Sequence, residues 1–250
     1  MILSVQGLEF SYPSNKVLKD VSFSIKKGEC LAILGTNGTG KSTLLKCINR
    51  ILKPQKGAVL IDKSDVQKLN QTDLAKRIGY VSQSNQSFRT TVFDTVLIGR
   101  KPYIKWDVTE KDLNIVNRAI EMLGLQEYSL RYIDELSGGE LQKVIIARAL
   151  AQEPKILMFD EPTSSLDLKN QLEVISIIKD VVKNKKISAL VTIHDLNLAL
   201  RFADKFILLK ESKIYAAGGI EIMTSHNIES VYSVPVKVEN LSSRMVVVPI

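Results

Sequence analysis

Gly35-Thr36-Asn37-Gly38-Thr39-Gly40-Lys41-Ser42 decides how the rest of the chain is read. The octet follows the pattern G-x4-G-K-[ST], and its surroundings are those a phosphate-binding loop requires. Leu31-Ala32-Ile33-Leu34 before it is a short apolar run of strand type. Thr43-Leu44-Leu45-Lys46-Cys47-Ile48 after it carries apolar residues at helical spacing. The loop therefore opens a helix. Gly35, Gly38 and Gly40 permit positive φ and a close backbone approach, so that consecutive N–H groups and the positive helix end face an anion. Lys41 is the candidate to reach the β- and γ-phosphates of a nucleotide, and the Ser42 hydroxyl to ligate Mg2+. Thr36, Asn37, Thr39 and Thr43 complete the candidate nucleotide-binding stretch.

The 250 residues suffice for one large domain or two lobes around a common core. No stretch approaches the ~20 consecutive apolar residues of a membrane span. Met1 to Gly7 also lacks a basic segment followed by an apolar one. The chain is therefore expected in the cytoplasm unless a partner holds it at a membrane. Its formal net charge of +7 comes from lysines spread along the sequence, such as Lys26-Lys27, Lys53, Lys183 and Lys185-Lys186. A solvated basic surface accounts for that pattern, and no nucleic-acid partner is expected. Cys30 and Cys47 flank the loop without CxxC spacing or a nearby histidine, and read as small buried apolar residues.

Residues 2–10 and 17–25 are strand-like about the turn Pro13-Ser14-Asn15-Lys16, and Gly57 to Asp62 supplies a third such segment. Together they suggest an antiparallel β layer beside the nucleotide core. From Thr90 to about Arg131 the pattern turns helical, with Leu113, Val116, Ile120 and Leu123 on one stripe. Three apolar runs of parallel-strand type follow, at Ile156–Phe159, Ile187–Thr192 and Phe206–Leu209, separated by helical patterns at Leu168–Lys183 and Leu196–Ala203. Strands alternating with helices imply an α/β fold with a doubly wound, mostly parallel sheet. Residues 221–250 read as a short helix and an alternating segment, with no chemistry assigned to them.

Ile156 to Phe159 ends in Asp160-Glu161. In an open α/β sheet the ligand lies at the carboxyl ends of the strands, so both acids are expected at the phosphates. Asp160 is the candidate to hold Mg2+ through water, and Glu161, on the other side of the alternating backbone, to accept a proton from an attacking water. Leu136-Ser137-Gly138-Gly139-Glu140 opens another helix, and Ser137 with two glycines at a helix start makes a second anion-binding end. One chain does not need two such ends for one nucleotide.

With these residues in place the sequence resembles the nucleotide-binding subunit of an ATP-binding cassette (ABC) transporter, whose signature is Leu-Ser-Gly-Gly-Gln. Glu140 departs from the usual glutamine, a variation the family commonly shows. The resemblance implies that Ser137, Gly138, Gly139 and Glu140 act in trans, reaching the ATP held by a second subunit's phosphate loop. It implies that Gln83 contacts Mg2+ and water, that His194 touches the γ-phosphate, that Tyr12 stacks on adenine, and that Asp167 belongs to a loop crossing the dimer interface. His226 receives no role.

The expected organisation is a single nucleotide-binding domain. Residues 1–83 and 155–220 form the ATPase core with the antiparallel layer, about 84–154 an inserted helical subdomain, and 221–250 a C-terminal extension. ATP and Mg2+ are the expected cofactors. The expected partners are a second nucleotide-binding subunit, a transmembrane permease and, indirectly, a solute-binding receptor, with the chain peripheral at the cytoplasmic face of the cell membrane. Val92 to Tyr103 resembles the helical lobe of importers for iron–siderophore, haem and cobalamin, a group shared with some molybdate or tungstate importers. Soluble cassettes of DNA repair or translation, the rival class, carry coiled-coil inserts or a second cassette. Neither pattern is present in this sequence. A kinase on the same fold would have no use for Leu136 to Glu140.

Overall fold

The computed structural model describes residues 1–83, 89–241 and 244–250. The glycine-rich octet joins β3 (Cys30–Leu34) to α1 (Lys41–Ile48). β3 is buried on both faces: Cys30, Ala32 and Leu34 pack into one core, Leu31 and Ile33 into another. That two-sided burial is why the run is continuously apolar and not alternating. β7 (Ile156–Asp160), β8 (Ser188–Thr192) and β9 (Lys205–Lys210) divide their side chains in the same way, Phe159, Val191 and Leu208 to one side, Met158, Leu190 and Ile207 to the other. With β6 (Ile78–Val81) and β10 (Lys213–Gly218) they form a six-stranded sheet in the order β10-β9-β3-β8-β7-β6. It is parallel from β9 to β6, and β10 pairs antiparallel on β9.

β1 (Leu3–Tyr12), β2 (Asn15–Ile25), β4 (Lys56–Ile61) and β5 (Ser64–Asp65) form the antiparallel layer, in the order β2-β1-β4-β5. The β1–β2 link is tighter than the sequence suggests, since Asn15 already pairs with Tyr12 and Lys16 with Ser11. Leu44, Leu45, Cys47 and Ile48 of α1 share a core with Leu3, Val5 and Val59 of this layer and with Ile33 and Ile207 of the parallel sheet. α1 is thus held from both sides, which keeps its N-terminus and the octet in place. The cysteines serve packing: both are free and buried, and burial pushes the Cys47 thiol up to about 12.

After α2 (Gln71–Ala75) and β6, the chain passes to α3 (Val92–Leu97), α4 (Glu110–Met122) and α5 (Gly138–Ala151), which pack on one another. Residues 84–88, where the helical insert is expected to begin, lie outside the described residues. The stripe on α4 departs from expectation at one position. Val116, Ile120 and Leu123 are buried, but Leu113 is 37% exposed and the inward place in the first turn belongs to Asp112. The reason is Arg100, itself 2% exposed, whose Nε donates to Asp112 Oδ1 at 2.9 Å while its guanidinium also reaches the Ala151 carbonyl and Glu153. Asp112 further closes a capping box with Thr109. This ion pair ties the start of α4 to the end of α5. Asp112→Ala would leave a buried guanidinium without its inner carboxylate, and a stability loss of about 3 kcal/mol is expected, read as a lowered Tm.

The chain ends with α6 (Leu168–Lys185), α7 (Leu196–Phe202), α8 (Ser225–Tyr232) and a hairpin of β11 (Val236–Leu241) and β12 (Arg244–Pro249). Among the described residues no helix is long and apolar enough to cross a membrane.

Candidate active site

The parallel strands β3, β7 and β8 end side by side, and their carboxyl ends carry the Gly35 loop, Asp160-Glu161 and Thr192. Gly35 has φ +147°, and a Cβ there would meet the Leu209 carbonyl oxygen at 2.5 Å, so no side chain fits. Gly40, the N-cap of α1, has φ +99°, and a Cβ would come 2.8 Å from the Val17 carbonyl oxygen. Beyond Gly40 the helix axis begins, with Lys41 and Ser42 in its first turn.

Lys41 is 5% exposed and curls back, its Nζ donating to the Gly35 carbonyl at 2.9 Å and the Thr36 carbonyl at 3.2 Å. Burial lowers its pKa, and the carboxylates of Glu161 and Asp160 oppose that shift. Thr39 closes the loop internally by donating its hydroxyl to the Thr36 carbonyl.

Asp160 is buried behind the loop and accepts three hydroxyls: Ser42 at 2.7 Å, Thr192 at 2.8 Å and Tyr80 at 3.1 Å. Burial first, and then the Asp160 charge, push the Tyr80 phenol up. Glu161 adopts φ +49°, a left-handed conformation uncommon outside glycine. Thr192 sustains it, accepting the Glu161 N–H on its carbonyl at 3.1 Å and on its hydroxyl at 2.9 Å. From this turn the Glu161 side chain meets Gln83, which donates Nε2–H to Glu161 Oε2 at 2.8 Å. Glu161 Oε1 stands 3.9 Å from Lys41 Nζ.

A cleft of about 410 Å³ is walled by Tyr12, Val17, Asn37, Gly38, Gly40, Lys41, Ser42, Thr43, Gln83 and Glu161. Of the sequence-derived candidates, Tyr12, Asn37, Gly38, Gly40, Lys41, Ser42, Thr43, Gln83 and Glu161 therefore share one concave site, while Gly35, Thr36, Thr39 and Asp160 are not among its walls. Tyr12 sits at its rim, 41% exposed and edge-on to Phe10 with ring centroids 4.9 Å apart. The donor set of Ser42 hydroxyl, Asp160 carboxylate and Gln83 amide oxygen is all hard oxygen with a single carboxylate. That suits Mg2+, which takes few protein ligands and fills its shell with phosphate oxygens and water.

The remaining candidates lie elsewhere. His194 is exposed, two residues past the end of β8, and is not among the cleft walls. Ser137, Gly138, Gly139 and Glu140 open α5, also away from the cleft. Ser137 caps that helix, and Glu140 Oε2 accepts both the Ser137 hydroxyl at 2.7 Å and its N–H at 2.8 Å. These bonds hold the Glu140 carboxyl below its ordinary range. Asp167 caps α6 by accepting the Asn170 N–H at 2.8 Å. A Cβ on Gly139 would meet the Asn170 side chain at 2.4 Å. The two loops therefore form one surface, separate from the cleft in the same chain.

Three residues escaped the sequence reading: Tyr80 and Thr192, which hold Asp160, and Tyr232 of α8, whose hydroxyl accepts the Gly35 N–H at 3.0 Å. Thr192 was findable only from strand register, since it pairs with Asp160 across β7 and β8.

The chain resembles known proteins over its whole length. The ABC transporter family model matches residues 18–164. An uncharacterized ABC transporter ATP-binding protein of Methanocaldococcus jannaschii is 56% identical over 250 residues, covering 100% of this chain and 98% of its own. The petrobactin import ATP-binding protein of Bacillus subtilis is 31% identical over 98% of both chains. A phosphonates import ATP-binding protein of Nitratidesulfovibrio vulgaris is 43% identical over 82% of both. Among solved structures, an ABC transporter described as of metal-chelate type, in an inward-facing conformation, matches with a TM-score of 0.87 at 32% identity, covering 100% of this chain and 96% of that one. A cassette solved as a dimer in a post-hydrolysis state with ADP and phosphate matches with a TM-score of 0.76 at 29% identity, over 87% of this chain and 98% of that one.

Proposed function

The chain belongs to the ABC transporter family of ATP-binding proteins and is an ATPase, and from that premise we propose that it powers a metal-chelate importer from the cytoplasmic face of the membrane. It works there as a homodimer bound to permease subunits, which a solute-binding receptor supplies. The observation that carries the substrate class is full-length similarity. The petrobactin importer's subunit aligns over 98% of both chains and the metal-chelate transporter over 100% of this one, whereas the phosphonate relative aligns over 82%. Phosphonate import is the second reading, favoured by the higher identity of 43% within that shorter match.

The reaction is in-line attack of water on the γ-phosphate, driven by positioning and charge. Tyr12 stacks on the adenine at the cleft rim. The amides of Gly38 and of residues 40–43 at the α1 N-terminus surround the phosphates, and Lys41 turns its ammonium from the loop carbonyls to the β- and γ-oxygens. Ser42, Asp160 and Gln83 would hold Mg2+, which would supply neutralisation of phosphate charge. Glu161 accepts the proton of the attacking water, oriented by Gln83, and His194 approaches the γ-phosphate from the end of β8.

Separation of Ser137 to Glu140 from the cleft of their own chain supports a composite site, completed by a second copy. ATP then favours the closed dimer, and hydrolysis removes that preference. Domain boundaries follow the same reading: core 1–83 and 155–220, helical subdomain 84–154, extension 221–250. The test is uptake. The chain is reconstituted in liposomes with the permease that co-purifies with it, and ATP-driven accumulation of ferric siderophore, cobalamin and phosphonate is compared. Uptake of phosphonate alone would overturn the chelate assignment.

A further inference from the structure

Residues 221–250 have no part in the reaction above, yet they touch the site's framework at two points. At the first, Tyr232 accepts the Gly35 N–H at 3.0 Å, while the carbonyl of the same glycine accepts Lys41 Nζ at 2.9 Å. At the second, Asn197 of α7, three residues past His194, exchanges two hydrogen bonds with the backbone of β12. Val247 N–H donates to Asn197 Oδ1 at 2.8 Å, and Asn197 Nδ2 donates to the Val247 carbonyl at 3.0 Å.

The segment between these anchors is braced. Glu229 Oε1 accepts the Val236 N–H at 3.0 Å and Ser225 Oγ the Val238 N–H at 3.1 Å, which binds α8 to β11. β11 and β12 pair from Val236 and Pro249 to Leu241 and Arg244. Ile228, Val231, Val236 and Val247 are buried in the core that also holds Leu34 and Ile193, the residues preceding the Gly35 loop and His194.

Gly35 shows why such a brace is useful. The Leu209 carbonyl, 2.5 Å from where a Cβ would be, admits only glycine, and glycine is the residue with the greatest backbone freedom. Lys41 restrains this backbone from within the loop, and the Tyr232 hydroxyl restrains it from outside. Burial pushes the Tyr232 phenol up to about 12, the Gly35 N–H bond opposing the shift and Asp195 adding to it, so its oxygen is a neutral acceptor near neutral pH.

We propose that residues 225–241 and 244–250 form a clip that fixes the phosphate loop relative to the His194 loop, with Tyr232 as a positioning residue for the ATPase reaction. The clip rests on the reading of residues 35–42 as the loop that holds ATP. By ordering the first peptide of that loop before nucleotide arrives, it lowers the ordering cost of binding.

The test uses the full chain for binding of a non-hydrolysable ATP analogue and its complex with the permease for turnover. Tyr232→Phe keeps the ring and removes the acceptor. It is expected to weaken analogue binding and raise KM for ATP roughly five- to tenfold, the size of one neutral hydrogen bond, with kcat changed less than twofold. Asn197→Ala is expected to shift binding in the same direction. In the double variant the loss should not exceed that of the worse single variant, because releasing either anchor opens the same clip. A Tyr232→Phe protein with a lowered Tm and analogue affinity within twofold of the parent would overturn the proposal, as would effects that multiply in the double variant. Lys41→Ala separates the two readings. If it too binds the analogue normally, the loop assignment has failed. If Lys41→Ala is defective while Tyr232→Phe is silent, only the clip has.

Discussion

Glu161→Gln is expected to slow ATP turnover by about 10²- to 10⁴-fold while leaving ATP bound, the range for loss of a general base. The substitution is nearly isosteric. It keeps an oxygen that can accept the Gln83 amide now 2.8 Å from Glu161 Oε2, and it leaves the backbone at φ +49° held by Thr192. What disappears is the carboxylate proposed to accept the proton of the attacking water. A negative charge facing the γ-phosphate disappears with it, so the ATP-bound dimer should persist instead of opening. Phosphate release and size-exclusion chromatography of the ATP-loaded protein measure the two effects together. Near-normal turnover would remove Glu161 from the role of base.

Lys41→Ala is expected to weaken ATP binding by about 100-fold, the equivalent of roughly 3 kcal/mol. The ammonium lies 5% exposed among loop carbonyls and 3.9 Å from Glu161, so it is desolvated before any phosphate arrives. A charge-assisted bond to the β- and γ-oxygens then forms where water competes least. The fold should tolerate the change, because α1 is anchored by Leu44, Leu45, Cys47 and Ile48 and not by the lysine. Calorimetric titration with ATP checks the prediction, and unchanged affinity would contradict the loop assignment.

The placement of these two residues in one cleft was legible because it follows from local spacing. Lys41 and Ser42 follow Gly40 directly, and Asp160 and Glu161 end an apolar run whose two-sided burial makes it recognisable as a parallel strand. Leu113 shows where periodicity failed. Helical spacing alone favoured the leucine, but the inward place went to Asp112 because Arg100, 12 residues earlier, needed a buried partner. An ion pair between elements leaves no mark in hydropathy.

The fold class, the strands of the parallel sheet, the glycine-rich loop and the paired acids were determined by the sequence itself, since each depends on residues adjacent along the chain. Tertiary structure alone decided that β8 lies beside β7, which brings Thr192 to Asp160 from 32 residues away, and that Tyr232 reaches Gly35 across 197. A hydroxyl at a strand end or helix end has no periodicity to betray its partner. Which polar group it meets is settled by the order in which buried strands pack, and that order minimises exposed apolar surface over the whole chain at once.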